Sequence, residues 1–171
     1  MYKTIPNIIK ENAKIVHRNF AGRVDQYNKD GKRTFSLVIE DPDDAEKLIA
    51  EGWYVKRFKP RDDQDEPGYF LPVTVSYKAY PPKIYLVSKG NVRLLREDEV
   101  GNIDDYEIEN VDITIRPYCW EASGKEGVRA YLKTMYVTLV EDDFAYKYSK
   151  NNAVNDDPAP DINDEAVPWN G

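Results

Sequence analysis

Hydrophobic positions alternate with polar ones along much of the chain, the period of a strand with one buried face. In Arg33–Ile39, Phe35, Leu37 and Ile39 share one side, and residues 14–20 supply a partner strand running into Ala21-Gly22-Arg23. Between them lies the polar turn Asn28-Lys29-Asp30-Gly31-Lys32, whose Asp-Gly pair provides the positive φ that hairpin turns favour. Residues 15–39 are therefore predicted to form a β-hairpin.

The period then becomes helical. Asp41 is a good N-cap, Pro42 suits the first helical position, and Asp43 and Asp44 complement the positive end of the helix dipole. Ala45, Leu48 and Ile49 form an apolar stripe, and Gly52 is a natural terminator, so a helix is predicted over 42–51.

Strand patterns resume at 53–59 and, after the polar loop 60–68, at 69–77, where the internal Pro72 predicts an edge or a bulge. Pro81-Pro82 precedes a strand over 83–87, and Lys89-Gly90-Asn91 turns the chain towards Val92 and Leu94. Residues 96–110 are acidic and irregular, with room for one helical turn. Two long strands follow. Val111–Arg116 alternates cleanly into Pro117-Tyr118-Cys119-Trp120, the segment 121–127 turns, and 128–140 is long enough to curve around a small barrel. A short helix is expected from Asp142-Asp143, carrying Phe144 and Tyr148. Seven or eight strands with one helix predict a mainly β fold, a closed or partly closed antiparallel barrel; a sandwich shares the same periodicity.

Composition divides the chain of 171 residues. Residues 149–171 contain three prolines, five acids and one lysine, and bury too little apolar surface to offset their ordering entropy. The expected organisation is a domain over 1–148 and a flexible acidic tail over 149–171. Val167-Pro168-Trp169 gives that tail an aromatic tip, either tucked back onto the domain or acting as an anchor for a partner.

The net charge of −7 hides a polarity along the chain. Residues 1–93 hold 17 Lys/Arg against 13 Asp/Glu, whereas residues 94–171 hold 7 against 18. Overall acidity argues against non-specific anion binding but allows a local basic groove. No apolar run reaches the roughly 18 residues of a membrane span, and the N-terminal Met1-Tyr2-Lys3-Thr4-Ile5-Pro6 lacks the apolar run of a secretory signal. The single Cys119 suits a reducing, intracellular setting.

Enzymatic signals are weak. His17 is the sole histidine and is expected to pack or hydrogen-bond within a strand; Cys119 lacks the companions of a zinc or nucleophile site. Asp62, Asp63, Asp65 and Glu66 fit a solvated loop better than a cation site. No catalytic residue, metal or cofactor is therefore expected.

Cations interleaved with aromatics are what sequence-independent single-strand binding requires, charge for the backbone and rings for the bases. Trp53–Arg61 and Tyr77–Tyr85 both show this pattern. In the first, Lys56, Lys59 and Arg61 are candidate contacts, while Trp53 divides evenly between core and stacking platform. In the second, Tyr80 lies in a proline-flanked turn between Lys78 and Lys83 and is the best candidate for an exposed ring. Arg23, Lys29, Lys32 and Arg33 cluster on the first hairpin, a pattern that a solvated tip also explains. Lys125, Arg129 and Lys133 add charge to the last hairpin, near Trp120 and Tyr131.

Phe20-Ala21-Gly22, Gly52-Trp53, Lys59-Pro60-Arg61, Pro72-Val73, Pro117-Tyr118-Cys119-Trp120 and Gly127–Lys133 together resemble the phage-encoded single-stranded DNA-binding proteins of the OB-fold type, across roughly residues 12–148. The resemblance implies an OB-like antiparallel barrel that coats single-stranded DNA during replication or recombination in the cytoplasm of a bacterial host. It places DNA contacts at Lys56, Lys59, Arg61, Tyr80, Trp120 and Lys133. It also implies a tail that recruits replication or recombination proteins and competes with DNA, here through Asp161, Asp164, Glu165, Val167, Pro168 and Trp169. Bacterial tails of this kind usually finish on an aromatic residue, whereas Asn170 and Gly171 follow Trp169 here. A homodimer is compatible with the sequence. The rival reading is a phage protein–protein interaction module or an acidic DNA mimic.

Overall fold

A computed structural model describes residues 4–59, 68–78 and 80–141. The chain divides into two units, Met1–Leu139 and Val140–Gly171; of the second, only Val140 and Glu141 are described. The expected terminal helix and the acidic tail both lie outside the described residues.

Among the described residues of the first unit there are nine strands and one α-helix, with β1 at Ile8–Lys10, β2 at Ile15–Asn19, β3 at Arg33–Ile39 and α1 at Pro42–Glu51. After the helix come β4 at Lys56–Arg57, β5 at Tyr69–Val75, β6 at Lys83–Ser88 and β7 at Asn91–Leu94. A 3-10 helix at Val100–Asp105 precedes β8 at Ile108–Ala122 and β9 at Lys125–Leu139.

Local chemistry accounts for these elements. The Asp41 carboxylate accepts from the Asp43 N–H at 2.9 Å and caps α1. At the other end Gly52 adopts φ 100°, and the N–H groups of Gly52 and Trp53 close onto the Ile49 and Leu48 carbonyls. Two tight hairpins use consecutive left-handed residues, Lys89-Gly90 between β6 and β7 and Ser123-Gly124 between β8 and β9.

The strand path runs β1-β8-β9-β5-β3-β2, with β4 joined to β5 and the β6–β7 pair joined to β9. This corrects the expected OB-like barrel: among the described residues the sheet is not closed, and β1 and β2 end opposite sides of the path. The reason lies in β9, whose whole length pairs with β8 on one edge. Its other edge is divided, with Ala130–Tyr131 against β5 and Thr134–Thr138 against β6. Both of these partners run parallel to β9, so the purely antiparallel expectation is also corrected. The expected strand over 53–59 reduces to Lys56–Arg57, with Trp53 making one isolated bridge to Val128. Pro72 stands in unbroken register opposite Ser36; on its other side it falls between Phe70, paired with β4, and Val73, paired with β9.

The core face collects the alternating apolar positions Phe35, Leu37 and Ile39, Leu71, Val73 and Val75, Val111, Ile113 and Ile115, with Leu132, Met135 and Val137 from β9. Phe20 and Phe35 stack at 5.1 Å in its centre. Each fully buried side chain of this size contributes about 1.5–3 kcal/mol. The 3-10 helix seals one end with Val100 and Ile103 and is tied to β2 by Arg18, which donates to the Ile103 and Tyr106 carbonyls at 2.8 and 2.9 Å.

Candidate nucleic-acid interface

The face of the sheet opposite the core carries the residues left over from that alternation. In β8 these include Arg116, Tyr118 and Trp120 beyond Asp112 and Thr114, because Val111, Ile113 and Ile115 turn inward. The hairpin register sets Arg116, Tyr118 and Trp120 opposite Tyr131, Arg129 and Gly127, respectively. Arg116 lies over the Tyr131 ring at 5.5 Å and over the Tyr80 ring at 4.9 Å. Tyr118 meets Tyr131 edge-on at 5.7 Å. The Trp120 indole lies against Gly127, where a Cβ would come within 2.9 Å of the ring.

Together these residues form a ladder of rings and guanidinium groups: Tyr80, Arg116, Tyr131, Tyr118 and Trp120, with Arg129 beside Tyr118. Tyr80 is 71% exposed, and Tyr118 and Arg129 are exposed as well. Each arginine–ring contact contributes about 0.5–1 kcal/mol at such a surface, and the edge-on tyrosine pair about 0.5–1.5 kcal/mol. The rings are thus held in place before any ligand arrives. Glu121 and Glu126 pair at the hairpin tip, at register positions belonging to the other face. Farther along β9, Tyr85 stacks on Tyr136 at 4.6 Å, but Asp112 pairs with Tyr136 there and brings a carboxylate. The arginine end is therefore the one suited to a polyanion.

The expected contacts divide by position. Tyr80 and Trp120 enter the ladder, and Arg129 flanks it. Lys83 is exposed opposite Thr134, Lys78 is exposed before Tyr80, and Lys133 is the extra residue of a bulge between Leu132 and Thr134. Lys56 shares the face of Phe70, with its Nζ 5.6 Å from the Tyr54 ring centre, and Lys59 is exposed just beyond β4. Arg23 and Arg33 are engaged elsewhere, with Asp104 at 3.5 Å and Glu97 at 3.0 Å. Arg33 also lies over Tyr77, whose hydroxyl is pushed above its ordinary pKa chiefly by burial, with Arg33 opposing.

Trp53 is not a stacking platform. It is 3% exposed in the core, with its indole N–H donating to the Glu51 carboxylate at 3.3 Å. Arg61, the Asp62–Glu66 cluster and the tail residues Asp161, Asp164, Glu165, Val167, Pro168 and Trp169 lie outside the described residues. Among the described residues, no cluster of three or more His, Cys, Asp or Glu is placed to hold a metal ion, and no helix is long and apolar enough to cross a membrane.

Arg116 and Tyr118 are the members that the sequence reasoning passed over. Their signal was present: continuing the period of two beyond Arg116 puts Arg116, Tyr118 and Trp120 on one side.

The model of the phage ssDNA-binding domain family matches residues 1–169. The chain belongs to that family. Among solved structures, the single-stranded DNA-binding protein from bacteriophage Enc34 in complex with ssDNA is 16% identical, with a TM-score of 0.52. The match covers 81% of this chain and 89% of that one, and it shows a shared fold. A second structure of the Enc34 protein is 13% identical with a TM-score of 0.49, covering 83% and 89% of the two chains. The single-stranded DNA-binding protein gp2.5 encoded by bacteriophage T7 is 12% identical with a TM-score of 0.35, covering 85% and 97%. No curated protein matches the chain.

Proposed function

We infer that this family member binds and protects single-stranded DNA without a chemical step, and that Tyr80, Arg116, Tyr118, Trp120, Arg129 and Tyr131 form the central contact. The observation that carries the reading is Arg116 clamped between Tyr80 and Tyr131 on an exposed sheet face. Stacking needs a ring whose face is open and whose orientation is already set, and a phosphate needs a cation beside it. The ladder meets both needs. Base edges are not read by such a face, so binding is sequence-tolerant and weakens steeply with salt. The DNA-bound Enc34 structure supports the same use of the fold.

Recruitment of replication or recombination proteins through residues 149–171 rests on the charge and aromatic tip of that segment, as does its competition with DNA. The bacterial cytoplasm is the setting this role requires. Fluorescence titration of oligo-dT across several salt concentrations tests the central claim, with Tyr131→Ala as the variant. Tight binding at low salt, weakened about tenfold by the variant, is expected. No binding by the wild-type protein at low salt refutes the reading and favours the acidic mimic.

A further inference from the structure

The face that carries the ladder continues across the sheet. Tyr131 of β9 is level with Thr74 of β5, and Thr74 is paired with Thr34 of β3. Ser36 and Pro72 form the next pair, followed two residues on by Val38 and Phe70. At the far side of this floor, on β2, stands a second ring cluster built around His17. Its imidazole meets Phe70 edge-on at 5.0 Å and Phe58 at 5.9 Å, and the two phenylalanines lie 4.6 Å apart.

Two features set His17 apart from a packing residue. It is exposed, although it rests on two half-buried phenylalanines and shares a hydrogen bond with the buried Ser36 hydroxyl, Nδ1 to Oγ 3.1 Å. It also has φ 54°, in the left-handed region, where the β2–β3 register shifts between Val16 and Asn19. A bulge with its first residue left-handed is the usual place of glycine, because a side chain there is strained. Bulges of this kind re-aim side chains. Here the bulge turns an aromatic ring outward onto the face that carries the ladder.

We propose that His17, seated on Phe58 and Phe70, is a second stacking station for a nucleobase of the same bound strand. The proposal rests on the DNA-binding reading of the ladder and extends its footprint. β2 and β9 are three strand spacings apart, about 14 Å, so the two stations hold bases of one strand that crosses β5 and β3. Lys56, paired with Phe70 and therefore on the same face, supplies a cation beside the second station. Ser36 fixes the imidazole plane, so a base meets an oriented ring and little rotamer entropy is lost on binding.

The test uses full-length protein and oligo-dT long enough to span both stations. His17→Gly removes the ring and relieves the left-handed strain; His17→Asn removes the ring and also tolerates that backbone. Both are expected to bind about tenfold more weakly than wild type while melting within a few degrees of it. His17→Phe keeps an aromatic face and is expected to retain affinity within about threefold. If His17→Gly and His17→Asn fold normally and bind as wild type while Tyr131→Ala loses affinity, the second station is refuted and the ladder stands. If wild-type protein itself fails to bind, both readings fall.

Discussion

Replacing Arg116 by methionine keeps most of the stem and removes the charge from the centre of the ladder. Two consequences separate cleanly. The first is structural: Arg116 contacts Tyr80 at 4.9 Å and Tyr131 at 5.5 Å, each interaction contributing about 0.5–1 kcal/mol. Losing both costs about 1–2 kcal/mol of stability, a fall of several degrees in melting temperature for a domain of this size. The second is ionic. A cation that neutralises one phosphate of a single strand adds about 0.7 to the slope of log K against log salt. Loss of that contact weakens binding about fivefold at roughly 0.1 M salt, and the difference shrinks towards zero near 1 M. Fluorescence titrations of oligo-dT at four or more salt concentrations measure the slope directly, and circular dichroism melts follow the stability. A variant with an unchanged slope and a salt-independent loss of affinity would refute the phosphate contact, leaving Arg116 only as the clamp on its two tyrosines.

Asp104→Ala removes the carboxylate that accepts from the Phe20 and Ala21 N–H groups at 2.7 and 3.1 Å. A loss of about 2–3 kcal/mol in urea unfolding is expected, because charged acceptors contribute more than neutral ones; a loss under about 0.5 kcal/mol would mean that water replaces the carboxylate. Gly127→Val places a branched side chain where the Trp120 ring now lies 2.9 Å from the Cβ position. Valine suits a strand, so the expected result is a folded protein with about fivefold weaker oligo-dT binding, read by the same titration. Tyr77→Phe deletes a buried hydroxyl that has no hydrogen-bond partner among the described residues. Its stability at neutral pH is expected to be unchanged or higher by up to about 1 kcal/mol. Since burial raises the Tyr77 pKa in the folded state, unfolded Tyr77 ionises first, and the wild type loses stability as pH rises through that alkaline range. The phenylalanine variant should lose less there, as denaturant melts above pH about 10 will show.

The hairpin over 15–39, the helix over 42–51 and the two long final strands were legible because their signals are local. A period of two, an N-cap three positions before Asp44 and a terminating Gly52 are each fixed within a few residues of chain. Strand 53–59 misled for the same reason. Its alternation is real, yet Trp53 is drawn into the core behind α1, where the Gly52 carbonyl accepts from the Val128 N–H at 2.9 Å, and the strand itself shrinks to Lys56–Arg57, paired with β5. β1, three residues long, is too short for any period to register.

The candidate site was half legible. Tyr80, Trp120, Tyr131 and Arg129 stood out as aromatics among cations, whereas Arg33 carried the same signature and proved to be held by Glu97 and Tyr77. Sequence marks a cation but not its partner, and Glu97 is 64 residues from Arg33.

By itself the sequence determined the alternation that divides each strand into a core side and an outer side, the capped helix, the turn positions and the charge contrast between the two parts of the chain. Tertiary structure alone decided that the sheet stays open among the described residues, that β5 and β6 share one edge of β9 in parallel, and that Tyr80 reaches Arg116. Every strand edge offers the same N–H and C=O groups, so pairing order is set by which long-range arrangement buries the core best. Local pattern carries no record of that choice.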